Sequence, residues 1–170
     1  MDERHLPEID YGACKSYVKV EGMYHFGGID GDGHINSRLH ILQLGSDHNQ
    51  WVEPRTKGNP PCERYEHCLV RMERTNSLLL HGGRNKRKSG VGAYLSDVWL
   101  LYLDSLTWTR VQVYGESLIS RAAHVIQLVE DNFLIIFGGV GAPNKNENQV
   151  LGVEFDPREV SMLVKDDRYV

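Results

Sequence analysis

The sequence has few cysteines: Cys14, Cys62 and Cys68 are an odd number at no metal-binding spacing. That pattern is neither a disulfide framework nor a zinc site. Long apolar runs are missing too, since stretches such as Phe133 to Phe137 and Val98 to Leu103 stop far short of the roughly 20 residues a membrane-spanning helix needs. No Asn-x-Ser/Thr glycosylation acceptor occurs, and Met1 to Asp10 lacks the basic-then-apolar layout of a secretory leader. A reducing compartment, cytoplasmic or nuclear, is the expectation. Nor is there an excess of positive charge: the formal net charge of −4 argues against a general binder of nucleic acid or anionic membrane, which needs a basic footprint. With 41% hydrophobic and 25% charged residues in 170, the composition is that of a folded globular chain.

What the chain has in abundance is repetition. Leu78-Leu79-Leu80-His81-Gly82-Gly83 has counterparts in Met23-Tyr24-His25-Phe26-Gly27-Gly28 and Leu134-Ile135-Ile136-Phe137-Gly138-Gly139. Each is an apolar run of strand length that stops at a glycine pair, where absence of a Cβ permits positive φ or a close backbone approach. Other residues recur at one offset of 57 positions: Trp51 and Trp108, Gly58 and Gly115, Arg64 and Arg121, His67 and His124. A period of this size points to a solenoid, a propeller or an array.

Arg-x-x-His before a strand, a strand ending in Gly-Gly, Tyr102 six positions before Trp108, and Gly58-x-x-Pro61-x-x-Arg64 together resemble the kelch repeat, over about residues 7 to 164. The resemblance implies an all-β, kelch-type β-propeller, with three four-stranded blades in this chain and an incomplete ring. Alternating patterns divide the chain into a lead-in with a degraded blade junction (1–11), three blades (12–54, 55–114 and 115–164) and a tail (165–170). In blade one the expected strands are Cys14 to Val20, Met23 to Phe26, Leu39 to Leu44 and a short one opened by Trp51. In blade two they are His67 to Met72, Leu78 to His81, Val98 to Leu103 and Trp108 to Val113, with a long loop from Arg84 to Ser96. In blade three they are His124 to Val129, Phe133 to Phe137, Val150 to Phe155 and Val160 to Val164. Blade one has drifted: Pro7, Asp10 and Ala13 stand at the spacing of Pro61, Arg64 and His67.

Roles follow from recurrence. Gly27, Gly28, Gly82, Gly83, Gly138, Gly139, Trp51, Tyr102, Trp108, Arg64, His67, Arg121 and His124 are expected to be framework groups, because a catalytic group is needed once and these return in each well-formed unit. Large rings should fill the wedge between neighbouring sheets. Three blades leave two open ends with exposed edges, so completion by a longer parent chain, a second copy or another subunit is expected.

The one dense basic run, Arg84-Asn85-Lys86-Arg87-Lys88, follows the second glycine pair directly. By the resemblance it lies on the loop face where partners dock, and a guanidinium fork meets a carboxylate in bidentate fashion. An acidic protein segment is the expected partner, Arg84 and Asn85 being the anchored residues. The run from Gly83 to Ser89 imitates a phosphate loop, but Arg87 replaces a required glycine and no helix follows. The corresponding loop of blade one holds Asp30, Asp32 and His34, which are assigned to the same partner face. Their Asp-Gly-Asp-Gly pattern hints at a calcium loop but lacks the terminal Glu and flanking helices, so it reads as a tight polar turn. Some kelch proteins are copper radical oxidases or iron-dependent specifier proteins. The latter's Glu-x-x-x-Asp-x-x-x-His pattern is absent, and no Ser/His/Asp or Cys/His set can be assembled. The reading is a non-enzymatic interaction scaffold or adaptor, with no metal and no cofactor. The alternative is part of a kelch-type metalloenzyme whose ligands lie on other blades.

Overall fold

A computed structural model describes residues 14–18, 22–45, 48–86, 92–115, 118, 120–130, 132–141, 145–146 and 150–165. The junction residues Pro7, Asp10 and Ala13, and the cations Arg87 and Lys88, lie outside the described residues. All regular structure among the described residues is β. The repeat units become three successive sheets, in each of which four antiparallel strands neighbour one another in chain order. Blade one is Cys14–Val18, Gly22–Phe26, Leu39–Gln43 and Gln50–Val52; blade two is Cys68–Met72, Ser77–His81, Val98–Tyr102 and Thr107–Arg110; blade three is Val125–Glu130, Phe133–Phe137, Val150–Asp156 and Ser161–Lys165.

The register is set by hydrophobic alternation. Ser77–His81 is buried along its whole length, with side chains pointing alternately to the two faces of the blade-two sheet. Leu78 and Leu80 join Tyr24, Phe26, Leu39, Ile41 and Trp108 in a core between blades one and two. Leu79 joins Met72, Val98 and Leu100 against Ile126, Leu134, Ile136, Val153 and Phe155 between blades two and three. A slip of one residue would exchange the two leucine sets, so the register is strongly specified. Burial of each leucine stabilises by about 1.5–3 kcal/mol.

Two differences from the sequence reading concern connections. The strand expected over Trp108 to Val113 is divided at Val111, which is buried and donates to Val98 O at 2.9 Å. Gln112 then donates to Val160 O at 3.1 Å, and Gln112–Gly115 runs parallel to Ser161–Lys165 of the next blade. Lys57–Gly58 does the same one unit earlier, parallel to Thr107 and Trp108. Each linker thus covers the outer edge of the blade it leads into, which removes a row of unpaired backbone groups. Gly58 is required there: its φ is 75°, and a Cβ would stand 2.4 Å from Trp108 O. The long loop after Gly83 is also more ordered than expected, since Arg84–Lys86 pairs with Gly92–Tyr94.

The recurrent tryptophans differ in setting. Trp108 is buried in the wedge between blades one and two, its ring 5.0 Å from that of Phe26, whereas Trp51 is only half-buried and meets the edge of His25. Trp108→Ala should therefore cost about 3–5 kcal/mol, and Trp51→Ala clearly less. Urea midpoints of the two variants check this; equal losses would contradict the placement.

Candidate functional site

The glycine pairs build the joints between blades. The first glycine of each pair has φ of 63°, 66° and 70° in blades one to three, and the second 103°, 98° and 94°. This left-handed step turns two consecutive amides outward from the strand end. Gly27 donates to Arg38 O at 3.0 Å within its own blade, and Gly28 donates to Arg64 O of the next blade at 2.8 Å. The second joint repeats the geometry, with Gly82 to Asp97 O at 3.2 Å and Gly83 to Arg121 O at 2.9 Å. The carbonyls of Gly28 and Gly83 accept in turn from Asn36 and Leu95, whose own carbonyls accept from Arg64 and Arg121. The backbone at each joint is therefore paired as a closed circuit, as burial demands.

Arg64 shows how the circuit is held in register. Its fully buried guanidinium is bidentate to Asp97, Nη1 to Oδ1 at 2.7 Å and Nη2 to Oδ2 at 2.8 Å, while Nη1 also donates to Gly82 O at 3.0 Å and Nε to Cys62 O at 3.1 Å. Trp99 Nε1 donates to Asp97 Oδ2 at 2.7 Å. For the Asp97 carboxyl, burial acts to raise the pKa, but the Arg64 hydrogen bonds and charge prevail and hold it below the usual carboxylate range. Arg121 makes the equivalent contact, Nη1 to Gly138 O at 3.2 Å. The two arginines therefore clamp the glycine pair of their own blade and present their carbonyls to the pair before it.

Histidines line the same joints. His67 meets Phe26 edge-on at 5.7 Å between ring centres, and His124 meets His81 at 4.8 Å, with His81 Nδ1 and His124 Nε2 2.9 Å apart. Burial, then the charge of Arg64, pushes the His67 pKa down to about 3. Burial and Arg121 push His124 down to about 4, and burial with His124 lowers His81 well below its ordinary value. All three are neutral inside the fold.

The loop face is built on these joints. Arg84 leaves Gly83, and its N–H and C=O both pair with Tyr65, at 2.8 and 3.0 Å. Its guanidinium lies against the Tyr65 and Tyr94 rings, 5.3 and 5.5 Å from their centres. The fork is occupied by Glu66: Nε donates to Oε2 at 2.8 Å and Nη2 donates to the same oxygen. Glu66 itself has φ of 55°, matched by 53° at Ala123, the residue before His in each Arg-x-x-His. Asn85 Nδ2 lies 3.6 Å from Cys62 Sγ, and Lys86 sits on the paired strand. In blade one, Asp30 Oδ1 accepts from the Asp32 N–H at 3.1 Å and the His34 N–H at 2.7 Å, with His34 Nδ1 3.4 Å from Oδ2. This is a self-bonded polar turn, and the hydrogen bond from His34 is the leading cause of a lowered Asp30 pKa. Among the described residues no group of three or more His, Cys, Asp or Glu gathers at metal-binding geometry.

Sequence reading missed Asp97, Glu66, Tyr65, Tyr94 and His81. Only hydrophobic register could have pointed to His81, which stands where Phe26 and Phe137 stand.

The histidines set a pH dependence with a definite sign. Their folded pKa values lie below the unfolded value near 6.5, so the unfolded chain binds more protons in the interval between, and stability falls as pH drops through it. Above about pH 6.5 their contribution is fully present; by pH 5 His67 and His124 should each have lost on the order of 2 kcal/mol, and His81 acts in the same direction. Asp97 acts in a separate window, at and below the ordinary carboxylate pKa. Urea denaturation from pH 7.5 to 5 checks this, and a flat profile would contradict neutral buried histidines. Arg64→Ala, which leaves the Asp97 carboxylate unpaired, should cost about 3–5 kcal/mol at pH 7.

Comparison with known proteins agrees with this architecture. A family profile described as the KLHDC2/KLHL20/DRC7 Kelch-repeats domain matches residues 7–163. Host cell factor of Drosophila melanogaster is 31% identical over 108 residues, 59% of this chain and 7% of that protein. Dynein regulatory complex subunit 7 of Chlamydomonas reinhardtii is 30% identical over 115 residues, 67% of this chain and 9% of that protein. Acyl-CoA-binding domain-containing protein 5 of Arabidopsis thaliana is 28% identical over 148 residues, 86% of this chain and 22% of that protein. The chain thus spans less than a quarter of each of these relatives. Among solved structures, YjhT superposes with a TM-score of 0.71 at 17% identity, covering 94% of this chain and 46% of its own, and a chain of a RAG complex with 0.69 at 17%, covering 97% and 53%. These likenesses concern the fold. With the profile spanning the repeat units and the glycine-pair joints in place, the chain belongs to the kelch-repeat β-propeller family.

Proposed function

We propose that this chain is part of a non-enzymatic interaction scaffold in the cytoplasm or nucleus, whose loop face receives an acidic segment of a protein partner. Arg84 is the anchor of that face. The observation that supports the reading is how its guanidinium is held: it is backed by Tyr65 and Tyr94, carried by a strand that begins directly at the glycine pair, and meets a carboxylate, that of Glu66. A partner carboxylate would take the place of Glu66 or share the fork. Asn85 stands beside it, Lys86, Arg87 and Lys88 supply steering charge, and Asp30, Asp32 and His34 belong to the equivalent loop of the neighbouring blade. Cys62 is an exposed free thiol, consistent with a reducing compartment. The name of one relative, a dynein regulatory complex subunit, describes a member of an assembly. By analogy this chain works within a larger assembly, its ring completed by a parent chain, a second copy or another subunit.

The test is titration of the chain with a fluorescently labelled glutamate-rich peptide at low and high salt. Arg84→Ala should weaken binding about tenfold, mainly through faster dissociation, and Arg84→Lys should not restore it, because an ammonium lacks the planar fork. Glu66→Gln should tighten binding, since the internal competitor loses its charge. Lys86→Glu with Lys88→Glu should slow association and flatten its salt dependence. Affinity unchanged in all of these variants would overturn the reading.

A further inference from the structure

The strand ends away from the glycine pairs form a second rim, and blade three departs from blade two there. Ser77–His81 runs from the turn at 73–76 to the second glycine pair, so that turn lies at the opposite end of the sheet from Arg84. Tyr102 and Glu154 hold equivalent places, facing Ser77 and Phe133 at the start of the second strand. Blade two turns after Tyr102, whose partner is Thr107, whereas blade three adds Phe155 and Asp156, paired with Met162 and Ser161, before it turns. Its hairpin tip, residues 157–160, therefore stands two residues further out, about 7 Å of strand.

Between this tip and the blade-two turn lies a cleft of about 470 Å³, a size at which small molecules bind. Its wall is fixed by two bonds: Asp156 Oδ1 accepts from the Arg158 N–H at 2.8 Å, and the Phe155 N–H donates to Asn132 O at 2.8 Å. Each side of the cleft supplies an arginine, Arg74 from the blade-two turn and Arg158 from the tip. Both are exposed, and among the described residues neither guanidinium has a carboxylate partner. Tyr114, on the strand that covers the edge of blade three, adds a ring that is 59% exposed. Three carboxylates also line the cleft. Asp156 already accepts from the turn and Glu154 has an interaction of its own, which leaves Glu159 to oppose the two cations.

We infer that this cleft binds a small organic phosphate that carries a flat ring, its phosphate monoester held by Arg74 and Arg158 and its ring lying on Tyr114. A carboxylate has two oxygens in one plane and is satisfied by one guanidinium fork. A phosphate monoester offers three oxygens in different directions and carries about −1.5 to −2 charge at pH 7, so it can engage two forks that come from different blades. Glu159 weakens the attraction of either arginine alone, and both are needed to hold the anion. An exposed tyrosine ring gives a flat partner an apolar surface to cover. The cleft lies at the other end of the strands from Arg84, so this ligand is distinct from the acidic segment proposed for the loop face.

Calorimetric titration of the chain with phenyl phosphate, inorganic phosphate and benzoate tests this. Phenyl phosphate should bind at one site, at least about fivefold more tightly than either of the others. Arg74→Ala and Arg158→Ala should each weaken it about tenfold. Tyr114→Ala should reduce it to the level of inorganic phosphate, and Glu159→Gln should tighten both phosphates. All four side chains are exposed, so these variants should melt with the wild type. Arg84→Ala, at the opposite rim, should leave phenyl phosphate binding unchanged. No saturable binding of phenyl phosphate at millimolar concentration, or binding that survives loss of both Arg74 and Arg158, overturns the site. Loss of binding in Arg84→Ala overturns its location. Benzoate bound as tightly as phenyl phosphate overturns the phosphate assignment. A phosphotyrosine peptide bound more than about tenfold more tightly than phenyl phosphate overturns the small-molecule assignment in favour of a protein partner.

Discussion

The hydrogen bond from the second glycine of the first two pairs, Gly28 and Gly83, to the arginine carbonyl of the following blade is the contact on which the rest of the structure depends. It requires two successive residues at positive φ at the end of a buried strand, which is costly for any residue with a Cβ. It also requires a carbonyl presented from another sheet at a fixed place, and Arg64 provides this by tying Gly82 O, Cys62 O and Asp97 together. The apolar cores between blades are thick but not directional. Leucine and phenylalanine could pack at several relative rotations, and the polar joint selects one.

That choice places charge and neutral imidazoles where water is excluded. A buried ion pair such as Arg64 with Asp97 adds little net stability over a well-packed apolar pair. Its contribution is positional, and it is paired on every side by backbone carbonyls and Trp99. The histidines act differently. Neutral at pH 7, they fill the joint as flat polar rings, and their protonation at lower pH would put unpaired cations beside the arginines. The same joint carries the loop that holds Arg84: this residue follows Gly83 without an intervening residue, and its backbone pairs with Tyr65, next to Arg64. The proposed anchor, Arg84, is thus one residue from the framework glycine along the chain.

The recurring features were legible in the sequence for a physical reason. A glycine pair at a strand end, a hydrophobic strand and an Arg-x-x-His start are needed afresh in every blade, so they return at a period and can be counted. Features needed once leave no such trace. Asp97 has Arg38 and Gln149 at the corresponding positions before the third strand, and no pattern marks it as the partner of Arg64. Glu66 and Ala123 share a left-handed backbone but not a side chain, so the carboxylate in the Arg84 fork was hidden. The division of Trp108 to Val113 was equally silent, because the alternation continues through Val111 while the backbone moves to another sheet. Drift misled in the opposite direction for Trp51, equivalent in sequence to Trp108 but only half-buried.

The central claim is that the glycine-pair amide is the inter-blade bond; the corresponding amide of blade three, that of Gly139, has no acceptor among the described residues. Amide hydrogen exchange of Gly28, Gly83 and Gly139 in the isolated monomer at neutral pH addresses it directly. The account predicts strong protection at Gly28 and Gly83, opening only with separation of the blades, and fast exchange at Gly139. Equal protection of all three, or rapid exchange at Gly83, would contradict it.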